Sequence, residues 1–434
     1  MKKMIQEKRV ALWGMGYLGY TKLLRLQSKG FFADVFDFTD TGFSEKIRNN
    51  DEYLTREQAF KWSETGIMPS LDIEKIAISS IDVMFKNNVH ICAFPLFDIF
   101  INKNYLKSFT ELVISNRNQI GDDTVFIFLS ASRPGFIGDF FIKSVIEAGI
   151  KVNCVSAFRS DWTIDEFLHK KTSRTIAANS NKALECGMGF YDILGIECKS
   201  LNDIREAEIY ENAKNCFEYM SAAFINQLSI GYPNANLRKM TQYLLEDIEL
   251  NDTHLGIGCG GLRMPNASQN IIQGSIDPKY LSLIYETQKT NLNIIFYYAE
   301  IMKKRKYKTV TILGITSRGN QMSLELSPSL LLAEHLLKIG ITVFVDDPFY
   351  NAQRLPAVLP CAQSTDILKD GISSDALIVM IDHNKFKFIT QKIFDSMDLS
   401  ALKLIIDNTG LYRVIEFPEK IIYHAIGDGS LARL

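Results

Sequence analysis

Short apolar runs alternate with segments of helical periodicity over the first two hundred positions of the chain. The pattern predicts strands at Arg9–Trp13, Val35–Asp37, His90–Phe94, Thr124–Leu129, Val152–Ser156 and Thr175–Ala178. A helical segment, Tyr20–Gln27, follows the first of these runs. Runs of this length are typical of strands buried on both faces of a largely parallel sheet. We therefore expect a first sheet domain over residues 1–200.

From Ala207 the apolar period changes from that of strands to that of a helix. Apolar residues recur at three- and four-residue steps, at Ile209, Ala213, Cys216, Phe217, Met220, Phe224 and Leu228. This spacing predicts a long amphipathic helix that runs at least to Gln227, and core packing is the usual role of such a stripe. A long helix between two sheet domains is also a common dimerisation element. We place it in a central helical domain, residues 201–304.

A second set of strands begins near Tyr307. The predicted strands are Thr309–Leu313, Ile341–Val345, Ala376–Ile381 and Leu404–Ile406. Ser327 and Pro328 predict an N-cap and a first helical position, with the helix over Ser329–Lys338. We place a third domain at residues 305–434. The fold class predicted is α/β, with two Rossmann-like doubly wound domains joined by a long central helix.

The glycines after the first strand predict a dinucleotide site. Gly14, Gly16 and Gly19 follow an apolar strand and open a helix, and Asp37 closes the next strand about twenty residues on. In this arrangement a pyrophosphate rests on helix amides while the carboxylate holds a ribose. Because a carboxylate repels a 2′-phosphate, the sequence favours NAD over NADP.

Composition narrows the class of protein. At 434 residues the chain is longer than one core usually supports, and its net charge of −2 gives no electrostatic signature for nucleic acid or an anionic membrane. The seven cysteines are scattered singly, without metal-ligand or disulfide spacing. We expect a cytoplasmic protein that works on small molecules, with no metal, no nucleic acid and no membrane as partner.

Six strings are ordered along nearly the whole chain, at Gly14–Gly19, Ser130–Gly135, Ala207–Asn215, Gly256–Gly261, Leu313–Pro328 and Asp382–His383. Together they resemble those of the UDP-glucose/GDP-mannose dehydrogenase family. Members of that family oxidise the primary alcohol of a nucleotide-linked sugar to a carboxylate with two NAD molecules. The resemblance implies a nucleoside-diphosphate sugar as ligand and a place in polysaccharide biosynthesis, and it is consistent with a homodimer formed through the central helix.

The resemblance also implies two sets of binding residues. The residues for the cofactor are Gly14, Gly16, Tyr17, Leu18, Gly19, Asp37, Pro95 and Ser130. Those for the sugar nucleotide lie in and after the glycine-rich loop, at Gly258, Gly260, Gly261 and Arg263.

The residues that carry the family's chemistry are changed. The family's nucleophilic cysteine, which forms a thiohemiacetal and then a thioester, aligns with Arg263, and its lysine on the central helix aligns with Glu211. Three further family residues, a threonine, an aspartate and an arginine, align with Ala131, Ala267 and Glu325. Lysine has thus become an acid where cysteine has become a base, and we predict that Glu211 and Arg263 form an ion pair.

The remaining polar candidates for catalysis are Asn215, Asp161 and Ser130, together with Arg263 and Glu211. Cys259, inside the glycine-rich loop, is the alternative nucleophile, although a single buried cysteine is more often a small hydrophobe. Without the usual cysteine we expect a two-electron oxidation of a sugar alcohol, or transient oxidation during epimerisation. The alternative is a homologue that binds NAD and nucleotide sugar without turnover. A 2-hydroxy-acid dehydrogenase of the 6-phosphogluconate type would not have the second Rossmann-like domain.

Overall fold

The computed structural model describes residues 8–14, 17–37, 76–96, 104–158, 173–247, 255–261, 263–320 and 322–434. The chain divides into two compact units. The first unit comprises residues 1–213 and 269–276, and the second comprises residues 214–268 and 277–434. The three-domain boundaries given above stay a prediction.

The first unit is built on one sheet. Within the described residues its strands are β1 Arg9–Trp13, β2 Phe32–Phe36, β3 Ile76–Ile78, β4 Val89–Cys92, β5 Val125–Phe128, β6 Asn153–Ser156, β7 Ser173–Ala178 and β8 Glu197–Ser200. Their order is β3-β2-β1-β4-β5-β6-β7-β8. Neighbouring strands are parallel except β6 and β7, which are antiparallel.

Helices cover both faces of this sheet. The described helices of the unit are α1 Tyr17–Ser28, α2 Ile81–Met84, α3 Tyr105–Ser115, α4 Lys143–Glu147 and α5 Asn181–Ile193, with a π-helical turn at Ile137–Ile142 and a 3₁₀ turn at Arg117–Gln119. Strand β1 shows why two layers are needed, because Val10 and Leu12 enter one apolar cluster and Ala11 and Trp13 enter another. A strand with two buried faces must be covered twice.

The second unit carries a parallel sheet of its own. Its described strands are β9 Thr309–Leu313, β10 Thr342–Asp346, β11 Gln363–Ser364, β12 Ala376–Val379, β13 Leu404–Asp407 and β14 Ile422–Ala425, in the order β11-β10-β9-β12-β13-β14. Val310 and Ile312 of β9 enter one apolar cluster, whereas Leu313 enters a second. The alternation of β1 is therefore repeated here.

The long helix α6, Ile204–Gly231, begins in the first unit and ends in the second. The second unit also contains α7 Leu237–Asp247, α9 Ser282–Lys304, α10 Pro328–Lys338, α11 Leu355–Val358, α12 Ile367–Asp370, α13 Asn384–Lys387 and α14 Gln391–Ser396. Helix α8, Met264–Gly274, spans the boundary. Short 3₁₀ turns lie at Pro278–Tyr280 and Leu431–Arg433.

The apolar stripe of α6 is mostly exposed. Ile209, Phe217 and Phe224 are 45%, 52% and 56% exposed, so the expectation that they pack in the core is wrong, whereas Cys216 is buried as expected. The helix instead buries a polar stripe, made of Glu208, Glu211, Asn212, Asn215 and Asn226. Buried polar side chains need hydrogen-bond partners. These side chains of α6 therefore need polar partners in the neighbouring segments.

The predicted fold class is confirmed, and many predicted elements lie where the sequence placed them. Strand β9 has the predicted bounds, and α10 begins at Pro328 with the Ser327 hydroxyl oxygen accepting a hydrogen bond from the Leu330 amide at 3.2 Å. The sequence did not identify β8 or β14, whose runs are short and partly polar. In the described part of the chain, no helix combines the length and the apolar character that a membrane span requires.

Candidate functional site

The carboxyl ends of four neighbouring strands bring together the predicted cofactor residues of the first unit. Gly14 follows β1, Asp37 follows β2, Pro95 lies shortly after β4, and Ser130 lies shortly after β5. These strands are adjacent in the order β2-β1-β4-β5, and the direction of the sheet order reverses between β1 and β4. Such a reversal is where open parallel sheets bind their ligands, in the crevice beyond the strand ends.

One backbone hydrogen bond and one from a side chain hold these strand ends close to one another. The Gly14 amide donates to the Phe36 carbonyl at 2.7 Å, next to Asp37, which is half-buried. On the other side the Ser130 hydroxyl donates to the Phe94 carbonyl at 2.7 Å, next to Pro95. The turn and the carboxylate that the sequence predicted to act together are therefore neighbours.

Gly14 is required at its position by both conformation and space. Its φ of +92° lies in the region that side chains with a Cβ rarely adopt, and a Cβ there would be 2.8 Å from the Phe94 amide nitrogen. The turn leads into α1, whose first residues include Tyr17, Leu18 and Gly19. Leu18 is partly buried against the core and Gly19 is buried.

Three residues named in the sequence analysis are not fully described. Gly16 and Asp161 lie outside the described residues, and of Tyr17 only the backbone is described. Leu262, which precedes Arg263, also lies outside them. The assignments of Gly16, Tyr17 and Asp161 stay predictions.

A buried carboxylate that the sequence analysis did not identify fixes the turn after Ser130. Glu208 of α6 accepts hydrogen bonds from the Ser132 hydroxyl at 2.6 Å, the Gly135 amide at 2.6 Å and the Ile137 amide at 3.1 Å. Burial raises the pKa of this carboxyl, although the three donors act in the opposite direction. Asn212 adds a hydrogen bond to the Ser132 carbonyl at 2.7 Å. The only sequence signal for this role was the position of Glu208 in the polar stripe of α6.

In the second unit, the glycine-rich loop at Gly256–Gly261 is held through its backbone. The Gly256 amide donates to Asn226 Oδ1 of α6 at 2.9 Å, and the Ile257 amide donates to Asn408 Oδ1 at 2.7 Å. The Gly261 amide donates to the Glu325 carbonyl at 3.0 Å. Three separate segments therefore fix the path of the loop.

The loop passes close to the start of α10. A Cβ on Gly260 would lie 2.5 Å from Pro328 Cδ and 2.9 Å from the Leu326 carbonyl oxygen, so the approach needs a glycine. The guanidinium of Arg318 lies beside Gly261. Glu325, where the family is expected to have an arginine, also receives a hydrogen bond from the Ser323 hydroxyl. The backbone of the loop at Gly258, Gly260 and Gly261 thus lies beside a region that contains positively and negatively charged side chains.

Arg263, in the expected place of the family's cysteine, is bound by two side chains of α6. Its Nε donates to Asn215 Oδ1 at 2.7 Å, and its Nη2 donates to the carboxylate of Glu218. The side chains of Arg263 and Glu218 are 27% and 29% exposed. Glu218 was not identified from the sequence, although it lies one helical turn after Asn215. The guanidinium is therefore held in one orientation at the surface of α6.

Cys259 is packed in a small apolar cluster with Tyr219, Ala222 and Met264. Its thiol contacts Asn291 Oδ1 at 3.8 Å, and burial raises the pKa of the thiol to about 12. A nucleophilic cysteine needs a thiolate and access. This environment matches the role of a small hydrophobe and disfavours the alternative nucleophile.

Two of the altered positions are buried. Glu211 is 4% exposed and Ala267 is 2% exposed. Arg263 binds Glu218 and Asn215, and its ion pair with Glu211 stays a prediction.

His383 shapes the loop between β9 and α10. Its Nδ1 accepts from the Asn320 amide at 2.9 Å, and its Nε2 lies 3.1 Å from Thr316 Oγ1 and 3.3 Å from Asp347 Oδ2. Burial opposes ionisation of Asp347, but hydrogen bonds from His383 and from the Phe349 and Ile315 amides outweigh it and lower the pKa of that carboxyl. This arrangement fits a structural role for His383, with Asp347 as a carboxylate partner far away in the sequence.

The chemistry that these residues offer is that of ligand binding and polar catalysis. Among the described residues, no three His, Cys, Asp or Glu side chains are grouped as a metal site would require. The first unit offers a glycine turn, a helix N-terminus and a carboxylate, which suit a dinucleotide. The second offers backbone amides, guanidinium groups and an asparagine, which suit an anionic, hydroxyl-rich ligand.

Comparison with known proteins gives a consistent picture. Residues 311–414 match the model of the UDP-glucose/GDP-mannose dehydrogenase family, UDP binding domain. A UDP-glucose 6-dehydrogenase of Pseudomonas aeruginosa is 28% identical over 249 residues, which are 51% of this chain and 52% of that protein. The chain thus spans about half the length of the first curated relatives it matches.

One relative aligns over almost its full length. A UDP-N-acetyl-D-mannosamine dehydrogenase of Methanococcus vannielii is 23% identical over 444 residues, covering 96% of this chain and 97% of that protein. The structure of a UDP-D-ManNAc dehydrogenase from Pyrococcus horikoshii shares the fold, with a TM-score of 0.76, 19% identity and coverage of 97% of this chain and 100% of the other. The domain match and these relatives support the resemblance of the chain to the UDP-glucose/GDP-mannose dehydrogenase family.

Proposed function

We propose that the chain is an NAD-dependent oxidoreductase that removes two electrons from an alcohol of a UDP- or GDP-linked sugar. The observation that carries this proposal is Arg263, which occupies the expected cysteine position and is held there by Glu218 and Asn215. A guanidinium cannot form the thiohemiacetal that oxidation to an acid requires. The reaction therefore ends at an aldehyde or ketone, and a role in polysaccharide biosynthesis follows only by analogy with the family.

The first unit would hold NAD through residues that fit its adenosine half. The turn at Gly14 and the N-terminus of α1 would face the pyrophosphate, and Asp37 would accept hydrogen bonds from the ribose hydroxyls. Ser130 and Pro95 would line the side beyond β4 and β5. When bound, NAD supplies a hydride acceptor. Glu208 contributes indirectly, because it fixes the turn that follows Ser130.

The residues that we propose for polar catalysis are Asn215, Asp161 and Ser130. Asn215 can donate through its amide to an oxygen that gains negative charge as the alcohol proton leaves. The Ser130 hydroxyl donates to the Phe94 carbonyl, so its oxygen remains an acceptor toward a ligand. Asp161 would take the proton. Glu211 and Arg263 would set the local charge.

A second candidate is a binding protein without turnover, and two observations favour it. Arg263 is engaged with Glu218, and Cys259 is buried with a thiol pKa raised to about 12. Neither side chain then supplies a nucleophile. In this case the chain would keep NAD and nucleotide-sugar binding for a regulatory or scaffolding role.

We also propose that two copies associate through α6. The supporting observation is the exposed apolar face of the helix, with Phe217 and Phe224 more than half exposed and Tyr210 and Ile209 nearly so. A contiguous apolar face on a soluble protein marks an interaction surface. Sedimentation of the purified protein and of Phe217→Glu tests it, since a charge at the centre of the face should produce monomers.

The experiment that tests the proposed function counts NADH molecules per sugar consumed. Purified protein is given NAD and a panel of UDP- and GDP-linked hexoses, and products are weighed by mass spectrometry. One NADH per sugar, with a carbonyl product, supports the proposal. Two NADH with an acid product contradict it and make Cys259→Ser the next variant.

No NADH, with NAD and sugar nucleotide both bound in calorimetry, supports the second candidate. A changed sugar without net NADH formation indicates epimerisation by transient oxidation. Loss of NAD binding altogether contradicts both candidates.

A further inference from the structure

We infer that His383 is a positioning residue for the proposed sugar-nucleotide site. As a neutral imidazole with its proton on Nε2, it fixes the loop between β9 and α10, and this loop in turn contacts the glycine-rich loop. The inference rests on the proposed function, because it takes the glycine-rich loop to bind the sugar nucleotide. It assigns a tautomer to His383 and a role to the hydroxyl of Thr316.

The hydrogen bond at Nδ1 determines where the His383 ring carries its proton. The Asn320 amide donates to Nδ1 at 2.9 Å, so this nitrogen must offer a lone pair. A neutral ring then has its proton on Nε2, which lies 3.1 Å from Thr316 Oγ1 and 3.3 Å from Asp347 Oδ2. Both oxygens can accept from Nε2, whereas a ring with protons on both nitrogens would lose the bond to Asn320.

Thr316 connects the ring to the main chain of the loop. Its hydroxyl donates to the Arg318 carbonyl at 2.9 Å, so its oxygen accepts from His383 Nε2. This chain of hydrogen bonds has one direction, because a carbonyl oxygen cannot donate. The side chains of Thr316 and His383 are fully buried, so water does not replace either partner. The position of the Arg318 backbone therefore depends on the tautomer of His383.

Asp347 fixes the beginning of the same loop. Its Oδ2 accepts from the Ile315 amide at 2.8 Å, and its Oδ1 accepts from the Phe349 amide at 2.8 Å. Asp347 thus holds the loop at Ile315 while His383 holds it at Asn320. Because Asp347 and His383 also contact each other, the two attachment points belong to one hydrogen-bonded group.

The first unit has the same backbone geometry after its first strand. The Gly14 amide donates to the carbonyl of the residue before Asp37 at 2.7 Å, and the Gly314 amide donates to the carbonyl of the residue before Asp347 at 2.9 Å. Asp37 is half-buried, whereas the side chain of Asp347 is fully buried beside His383. The carboxylate that we expect to bind a ligand in the first unit therefore holds the protein's own loop in the second.

The loop between β9 and α10 contacts the glycine-rich loop at two points. The guanidinium of Arg318 lies beside Gly261, and the Glu325 carbonyl accepts from the Gly261 amide at 3.0 Å. A shift of the Arg318 backbone therefore changes the surroundings of Gly261. We expect such a shift to weaken nucleotide binding although His383 itself does not touch the nucleotide.

The first test removes one hydroxyl from this chain of hydrogen bonds. Valine has nearly the shape of threonine without its donor and acceptor, so Thr316→Val should release the Arg318 carbonyl. We expect the affinity for UDP, or for GDP if the wild type binds that nucleotide, to fall about tenfold in calorimetry. Thr316→Ser keeps the hydroxyl, and its nucleotide affinity should stay within threefold of wild type. NAD affinity should stay within twofold in both variants.

The matched control is Thr311→Val, which removes a buried hydroxyl from β9 in the same unit. Thr311 is 3% exposed and its hydroxyl lies 2.8 Å from Ser374 Oγ, so the control loses a hydrogen bond outside this chain. We expect both valine variants to lower the melting temperature, but nucleotide affinity should stay within twofold of wild type in the control. An equal loss of nucleotide affinity in Thr316→Val and Thr311→Val would contradict the positioning role, as would equal losses of nucleotide and NAD affinity.

A spectroscopic measurement tests the tautomer without any ligand. In ¹⁵N spectra of protein labelled at histidine, an unprotonated ring nitrogen and an N–H nitrogen resonate far apart. The His383 signals, assigned by their loss in His383→Gln, should show an unprotonated Nδ1 and a proton on Nε2. A proton on Nδ1, or averaging between both tautomers, would overturn the inference even if the enzyme is active. If the wild type binds neither UDP nor GDP, the proposed function fails, and the tautomer still decides whether His383 fixes the loop.

Discussion

The turn at Gly14 and the loop at Gly256–Gly261 have diverged to different extents from the pattern that the family resemblance implies. Around the turn, Gly14, Gly19 and Asp37 have the spacing predicted for a dinucleotide site. Around the loop the glycines also remain, but Arg263 stands where the resemblance predicts the nucleophile. The difference shows that the backbone that recognises a ligand and the side chains that carry out a reaction can change independently of each other.

The physical reason is that a substitution has a different structural effect in backbone turns than in partly exposed side chains. Gly14 and Gly260 each meet neighbouring backbone at distances that exclude a Cβ, so a substitution there would move the main chain. Arg263 and Glu218, by contrast, are partly exposed side chains whose exchange moves little else. The loop can therefore keep its path while the reaction it supports is altered. Four predictions test this comparison.

The largest expected effect is a loss of folding stability at acid pH, and it should arise in the first unit. His90 is fully buried beside Trp13; its Nδ1 accepts from Trp13 Nε1 at 3.0 Å, and its Nε2 donates to the Asn87 carbonyl at 2.9 Å. Burial lowers the pKa of His90 from 6.5 to about 4. The ring is neutral when folded but protonated when unfolded, so stability is lost as pH falls from 6.5 toward 4, by about 3 kcal/mol.

Denaturant unfolding followed by tryptophan fluorescence between pH 7 and pH 4 measures this loss. His90→Gln should flatten the pH dependence, whereas His335→Gln, on a helix of the second unit, should leave it unchanged. NAD affinity should decline over the same pH range. An equally steep pH dependence in His90→Gln would assign the acid sensitivity to other groups.

The second effect is on cofactor binding. Gly14→Ala forces a side chain to φ +92° and within 2.8 Å of the Phe94 amide, so we expect NAD affinity to fall about 100-fold. Calorimetric titration with NAD measures it, while binding of UDP should persist. The control is Gly121→Ala, where a Cβ meets open space. Unchanged NAD affinity in Gly14→Ala would separate this turn from the cofactor.

The sequence predicted elements whose signal is local. Strand β9 and the cap of α10 depend on neighbours within a few residues, and both lie where the pattern placed them. The apolar stripe of α6 misled the prediction of burial, because periodicity shows that a helix has two faces without showing which face meets the protein. Phe217 and Phe224 are exposed, and Asn212 and Asn226 are buried.

Site residues that act over long sequence separations could not be found in this way. Asn408 binds the Ile257 amide across 151 positions, and Glu208 binds Gly135 across 73 positions. No spacing rule connects such pairs, because the fold alone brings them together. Arg263 was identified only through the family resemblance, and its partner Glu218 only through the structure.

The third effect concerns the glycine-rich loop. Gly260→Ala would place a Cβ 2.5 Å from Pro328 Cδ and so displace the loop from α10. We expect affinity for UDP, measured by calorimetry, to fall about 30-fold, equivalent to about 2 kcal/mol, while NAD affinity stays within twofold. This is the reverse of the result for Gly14→Ala. Parallel loss of both ligands would show that the two regions are not independent.

The smallest expected effect is a change in cofactor affinity when Asp37 is replaced. Asp37→Ala removes the carboxylate expected to accept from the ribose hydroxyls, and we expect NAD affinity to fall about tenfold. Affinity for NADP should rise at the same time, since the repulsion of its 2′-phosphate is relieved. The matched control is Asp123→Ala. It removes a carboxylate that lies before the amino end of β5, whereas Asp37 lies after the carboxyl end of β2 in the same sheet. If Asp37→Ala weakens NAD and NADP equally, the residue supports the turn rather than selecting the cofactor, and the side-chain contribution to recognition in the first unit is smaller than that of its backbone.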